Sequence, residues 1–250
     1  MRLRLATIAL CCAALASGCS TPGPGQAPDG IWDPNEAANR RVHAFNRSVD
    51  ERLFRGAGTG LTDAVPEGVM RNVSNFADTA SLPQTVLNQV LQGRLGDATR
   101  NTLRFTINAT LGFGGLADVA GDLGLPRDDS DFGETLHVWG LPEGAYLELP
   151  LLGPSTERDA VGMAVDFATN PLRAILSPES RRWTTAARIV DRVGERGQFS
   201  DTVDSLLYDS ADSYAQLRLI YLQNRRFELG DESAGADAYI DPEALDTEGF

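Results

Sequence analysis

Apolar residues recur every three or four positions through most of this chain, and turn residues interrupt them at short intervals. That pattern predicts a run of amphipathic helices. The first should open at Asp33-Pro34-Asn35-Glu36, with Asp33 capping, Pro34 in the first turn and Glu36 completing a capping box. Val42, Phe45, Val49 and Leu53 carry it to about Phe54, where Gly56, Gly58 and Gly60 are expected to break it. A second helix is predicted over Pro66–Ala80. A third should start at Ser81, bury Val86, Leu87, Val90 and Leu91, and stop at Gly93. Further helices are expected over Asp97–Leu111, from a Ser155 cap to Asn170-Pro171, and from Ser177-Pro178-Glu179 through Trp183, Ala187, Val190 and Val193. The last runs from about Ser213 to Phe227, with Arg225 and Arg226 at the negative end of its dipole. Alternating stretches are rare, and only Tyr146-Leu147-Glu148-Leu149 reads as a short extended piece. The expected fold class is all-α.

The N-terminus adds a membrane address. Arg2 and Arg4 precede a 12-residue apolar run, Leu5–Ala16, which ends in Ala16-Ser17-Gly18-Cys19. A run this short with small residues at its end reads as a cleaved signal, residues 1–18, and Cys19 as the acylated first residue of the mature chain. Ser20 after the cysteine resembles outer-membrane sorting. Residues 19–31 then form an acylated start and a Pro/Gly linker, TPGPGQAPDG over Thr21–Gly30. A folded domain is expected over 32–227. Residues 228–250 hold eight acids and no base, a composition that reads as a solvating acidic tail.

Composition narrows the chemistry. All three cysteines lie in the first 19 residues, and His43 and His137 are the only histidines, so thiolate catalysis is excluded for the mature chain and no metal site is expected. The net charge of −13 argues against nucleic-acid binding and against electrostatic adhesion to anionic lipid. Every cation is arginine.

The most unusual segment is Phe105–Ala117, FTINATLGFGGLA, 13 residues without a charge. As a helix it rises only about 20 Å, too little to span a bilayer core. It suits either a buried core segment or a dip into one leaflet, with Gly112, Gly114 and Gly115 permitting the return. Gly112-Phe113-Gly114-Gly115-Leu116-Ala117 also fits a dinucleotide fingerprint, but the repeated strand-helix-strand units that such a site needs are missing. No G-x-S-x-G elbow exists in register, and His137 reads as a structural or surface residue, so no enzyme is expected.

A dense central block carries a resemblance. Phe132-Gly133-Glu134-Thr135-Leu136, Trp139-Gly140-Leu141-Pro142, Gly144, Tyr146-Leu147, Leu149-Pro150, Leu152-Gly153-Pro154-Ser155 and Arg158-Asp159 resemble the MlaA/VacJ family of outer-membrane lipoproteins. The likeness runs from about Trp32 to Phe227, through Asn39-Arg40, Phe45-Asn46, Asn88, Arg104-Phe105, Asn108 and Gly112, and onward to Tyr208, Asp212, Tyr214, Tyr221 and Arg225. Arg52 stands where the family favours proline.

The resemblance implies a single helical ring, embedded in one leaflet, with an amphipathic central channel. It implies anchoring through Cys19 at the periplasmic side of the outer membrane. The implied activity is removal of phospholipid misplaced in the outer leaflet and delivery to a periplasmic, MlaC-like carrier, with trimeric porins as associates and no cofactor beyond the acyl chains and the transported phospholipid. On that frame Asn108, Gly112, Phe113, Gly114, Gly115, Leu116, Asp118 and Asp122 are expected at the channel or its hinge. Phe45 and Asn46 are expected at the rim. Phe132, Gly133, Thr135, Trp139, Gly140, Gly144, Tyr146, Pro150, Gly153, Arg158 and Asp159 are expected to close the ring. A rival reading is a non-transporting envelope scaffold that holds porins.

Overall fold

The computed structural model describes residues 21–230, apart from Pro24, Pro28 and Asp29. The expectations for the signal segment, Cys19 and tail residues 231–250 lie outside the described residues. The described residues are predominantly helical. Helix α1 covers Glu36–Val49 and passes through a π-helical turn, Asp50–Phe54, into α2, Arg55–Ala64. Then come α3, Glu67–Leu91, and α4, Leu95–Thr110. Two short helices follow, α5 at Val119–Asp122 and α6 at Phe132–Val138. A hairpin pairs β1, Tyr146–Leu149, with β2, Gly153–Thr156, antiparallel, with Tyr146 opposite Thr156 and Leu149 opposite Gly153. The chain closes with α7, Glu157–Thr169; α8, Pro171–Ile175; α9, Pro178–Gln198; α10, Ser200–Asp204; a second π segment, Ser205–Asp209; and α11, Ser213–Glu228.

The packing pairs close a circuit. Helix α2 packs on α9, α9 on α3, α3 on α6, α6 on α7, α7 on the hairpin and the hairpin on α1, which leads back to α2. Among the described residues no helix is long and apolar enough to cross a membrane.

Several expected boundaries move, each for a physical reason. Gly56, Gly58 and Gly60 do not break the first helix. Gly58 meets Gly197 of α9 so closely that a Cβ on Gly58 would lie 2.7 Å from the Gly197 nitrogen. The glycines let two helix backbones approach, and that packing outweighs their weak propensity. The break expected between Ala80 and Ser81 is absent too, because α3 runs on through Pro83 with α4, α6, α8 and α9 packed along it. Asp33 does not cap α1. It accepts from Asn39 at 2.9 Å, from Arg218 at 2.6 Å and from the Tyr214 hydroxyl, tying the start of the chain to α11. Thr156, not Ser155, caps α7 through the Asp159 N–H, at 3.2 Å. Between α4 and α7, where the sequence predicts only the extended Tyr146–Leu149, the chain also forms α5, α6 and β2.

The largest departure concerns burial. In α3 the apolar Val90 and Leu91 face outward, Val86 and Leu87 are half-buried, and Gln84, Thr85, Asn88 and Gln89 fill the interior. Among the described residues ten apolar side chains are buried, five of them alanines, against eighteen polar or charged ones. The expected face of α3 is therefore reversed, and the same reversal runs through the molecule.

Candidate functional site

Helix α4 displays the reversal most plainly. Ala98, Asn101, Arg104 and Asn108 recur at helical spacing and are buried, while Leu95, Thr99, Leu103, Thr106 and Thr110 are exposed. A polar inner face must be hydrogen-bonded to be tolerated, and most of this one is, Asn101 Oδ1 and Arg104 Nε being the atoms of these residues left without a partner among the described residues. Asn101 donates to Gln89 Oε1 at 3.0 Å and to the Asp128 carbonyl at 2.7 Å. Arg104 donates to both oxygens of Asp118, at 2.9 and 3.0 Å, and to the Leu125 carbonyl. Asn108 donates to Asp118 at 2.8 Å and accepts from the Ala120 N–H at 2.9 Å. Burial alone would raise the Asp118 carboxyl, but the hydrogen bonds from Asn108 and Arg104 outweigh it and hold the group below the usual carboxylate range.

These groups line a cavity of about 390 Å³ between α3, α4 and α5, with Asn75, Asp78, Thr79, Leu82 and Arg127 on its other walls. Asp78 pairs with Arg127, yet burial still pushes its carboxyl above the usual range. The Thr79 hydroxyl and the Arg104 Nε are buried there without a partner among the described residues. Two further cavities adjoin. Arg127 also lines a second, of about 600 Å³, with Arg94, Asp128 and Arg225. Ser81, Thr85 and Ser130 of that cavity also line a third, of about 600 Å³, bounded by Asp166, Arg173, Arg181 and Arg188. A polar tract thus follows one side of α3.

The outer surface is the complement. Leu95, Leu111, Phe113, Leu123, Leu151, Leu152, Phe167, Ile175, Trp183, Ile189 and Phe227 are all exposed. So many exposed large apolar side chains over a polar interior mark a surface built to meet lipid or another apolar partner. A family model described as MlaA lipoprotein matches residues 31–228. The chain belongs to the MlaA lipoprotein family. It is 34% identical over 233 residues to the intermembrane phospholipid transport system lipoprotein MlaA of Escherichia coli, covering 91% of this chain and 89% of that protein. It is 33% identical over 189 residues to an uncharacterised protein of Rickettsia prowazekii, covering 75% and 74% of the two. A solved structure from work on the structural basis for maintenance of bacterial outer membrane lipid asymmetry superposes with a TM-score of 0.68 at 32% identity, covering 79% of this chain and 98% of that one. The all-α fold expected from the sequence is the fold of this family.

In this member of the family the predicted channel residues separate into two groups. Asn108 and Asp118 line the first cavity, but Asp122 is exposed and lies outside it. Gly112, Phe113, Gly114, Gly115 and Leu116 form a loop at the end of α4. The first half of the uncharged segment, Phe105–Thr110, belongs to α4, so that segment is half helix and half turn. Gly112 admits no side chain, since a Cβ would lie 2.3 Å from the Ala117 oxygen. Gly115, at φ +99°, abuts Thr79 of α3, and Asn75 donates to the Leu116 carbonyl at 3.2 Å. The loop is thereby pinned inside, while Phe113, 82% exposed at φ +53°, points outward.

At the predicted rim, Phe45 is exposed and Asn46 clamps the hairpin. Asn46 donates to the Leu149 carbonyl at 2.9 Å and accepts from the Leu151 N–H at 2.7 Å. Of the residues expected to close the ring, several join α6, α7, the hairpin and α11. Asp159 accepts from Thr156 at 3.0 Å, Tyr221 at 2.7 Å and Arg225 at 3.0 Å, and Arg225 also reaches Asp131 at 2.7 Å. Arg158 is buried and faces His137 at 3.4 Å. Tyr146 packs edge-on against Tyr214 and donates to Glu148 at 2.5 Å. Gly133 lies against Asp159 and Gly162. Thr135 accepts from Gln92 at 2.9 Å, and the Phe132 N–H donates to Asp166 at 3.0 Å. Trp139 is exposed, and its indole N–H donates to the Leu91 carbonyl at 3.3 Å. Gly140, Gly144 and Gly153 take left-handed turn conformations, and Pro150 is exposed at the hairpin tip.

A Ser213–His43–Glu148 line, at 3.0 and 3.3 Å, has the order of a hydrolase triad. Ser213 is buried and lines none of the cavities described here, and Glu148 is also bound by Tyr146 and Asn46. The line cross-ties α1, β1 and α11. Sequence reasoning missed Asp78, Thr79, Arg127 and the arginines of the third cavity. The signal that could have found the inner wall was the recurrence of Asn101, Arg104 and Asn108 at helical spacing.

Proposed function

We propose that this lipoprotein is a passive phospholipid conduit of the outer membrane. It takes lipid misplaced in the outer leaflet and hands it to a periplasmic carrier, anchored by acyl chains on Cys19 at the periplasmic side and associated with trimeric porins. One observation carries the reading: many large apolar side chains stand exposed, while polar side chains dominate the buried set and line three adjoining cavities. A phospholipid holds on the order of 30 CH₂ groups at about 0.8 kcal/mol each, so stripping its tails into water costs roughly 25 kcal/mol. A catalyst of its movement must keep the tails against apolar surface and offer the headgroup a polar route. The apolar belt and polar tract supply those two needs. The relatives named for intermembrane phospholipid transport support the same assignment. The chain has no G-x-x-x-x-G-K-[ST] nucleotide loop, so its own part in the process is read as downhill.

Photocrosslinking in intact envelopes tests the reading. A crosslinker at position 75 or 108, on the wall of the first cavity, should capture phospholipid, and deletion of the protein should raise surface phospholipid and detergent sensitivity. Without lipid adducts and with unchanged surface lipid, the chain is a scaffold and the conduit reading fails.

A further inference from the structure

The third cavity carries a charge pattern that passage of a headgroup does not by itself require. The protein is strongly acidic, and most arginines near the other cavities are paired: Arg94 with Asp97, Asp128 and Glu134, Arg104 with Asp118, Arg127 with Asp78, and Arg225 with Asp131 and Asp159. Arg173, Arg181 and Arg188 all line the third cavity, and among the described residues none of them forms a salt bridge. Arg181 and Arg188 lie seven residues apart, two turns along one face of α9, with Thr184 and Thr185 between them on the same wall. Arg173 comes from α8 and lies over the Phe167 ring, 3.9 Å from its centroid. Arg188 donates only to the Ala80 carbonyl, at 3.1 Å. Arg173 and Arg188 are solvent-exposed and Arg181 is half-buried.

The cavity's one acid, Asp166, is already used. It accepts from Gln84 at 2.6 Å, from Asn88 at 2.9 Å and from the Phe132 N–H at 3.0 Å. The wall therefore presents three guanidinium groups to one occupied carboxylate. Beside them, the buried Gln84 Oε1 is an acceptor without a donor among the described residues. Phe167, Leu172 and Leu176 form the apolar part of the lining, and Ser81, Thr85, Ser130 and Asn170 complete it; Ile175 and Trp183 stand exposed on α8 and α9.

We propose that this cavity is a binding site for the phosphodiester of an anionic, polyol-headed phospholipid such as phosphatidylglycerol. The arginines take the phosphate, a headgroup hydroxyl donates to Gln84, and the acyl chains lie along Phe167, Leu172 and Leu176. Guanidinium groups are suited to phosphate through charge-assisted, bidentate hydrogen bonds. A zwitterionic headgroup brings a cation against the same arginines and is disfavoured. The proposal rests on the conduit reading only in taking lipid as the ligand class.

The full chain in detergent micelles is titrated with dihexanoyl phosphatidylglycerol, with dihexanoyl phosphatidylcholine and with inorganic phosphate. Phosphatidylglycerol should bind about ten-fold more tightly than phosphatidylcholine, and replacing Arg181→Gln together with Arg188→Gln should weaken it by about ten-fold or more. Arg181→Lys with Arg188→Lys should restore part of that loss, which separates lost charge from lost folding. Equal binding of the two lipids, or an unchanged affinity in the glutamine variant, overturns the site. Competition by inorganic phosphate as strong as that of the lipid overturns the lipid as its ligand. Crosslinking at position 75 and the deletion phenotype read the conduit separately: failed crosslinks and unchanged surface lipid, with intact phosphatidylglycerol binding, sink the conduit and leave this site standing.

Discussion

At the scale of single residues, this protein is held by polar groups that satisfy one another away from water. Asp159 is the clearest case. Burial works against its charge, yet Arg225 and the Tyr221 hydroxyl outweigh it and hold the carboxyl below its usual value of 3.8. Removing one partner strands the other, so Asp159→Asn should cost about 3 kcal/mol in a denaturation experiment in detergent. The sign with pH follows. A depressed folded-state value adds stability above the unfolded value, and that stability is lost as pH falls below 3.8 and through the folded value. The gap between native chain and variant should be full at neutral pH and close on acidification. A gap that stays constant with pH would assign Asp159 a purely steric part.

At the scale of elements, two glycines in one helix have opposite meanings. A side chain at Gly58 meets the backbone of α9, whereas one at Gly60 meets nothing within 4 Å. Gly58→Val should lower stability by about 1–3 kcal/mol, and Gly60→Ala should be neutral or raise it by about 0.5–1 kcal/mol. Thermal melts of the two variants check the contrast, and equal losses would show that α2 and α9 do not depend on this close approach. The same pair explains what the sequence could and could not disclose. Helix α9 was legible from Ser177-Pro178-Glu179, and β1 from the alternation of Tyr146–Leu149, because both signals are local. Gly58 reads locally as a breaker, and only the distant Gly197 reveals it as a packing surface. The face of α3 was misjudged for a related reason. Assigning Val90 and Leu91 to the core presumes water outside, and Asn88 and Gln89 occupy the inside here. Asn108 was singled out through the family pattern and Asp118 as the first charge beyond the uncharged segment, but the arginines of the third cavity come from α8 and α9 and have no common motif to announce them.

At the scale of the whole molecule, the exposed belt should govern partition into membranes. Phe167 and Ile175 are 69% and 77% exposed. Inserting each into the acyl region is worth about 2 kcal/mol, so Phe167→Ser or Ile175→Ser should each lower vesicle binding of a Cys19→Ser chain on the order of 30-fold. Flotation with liposomes measures it, and undiminished binding would place the membrane against some other surface.

The buried amides and guanidinium groups have a thermodynamic corollary. A heat-capacity rise on unfolding comes chiefly from newly wetted hydrocarbon, and polar exposure opposes it. With Asn88, Gln89, Asn101 and Arg104 at the centre, a calorimeter should record an unusually shallow step for a chain of this length. Its curve of stability against temperature should be correspondingly flat.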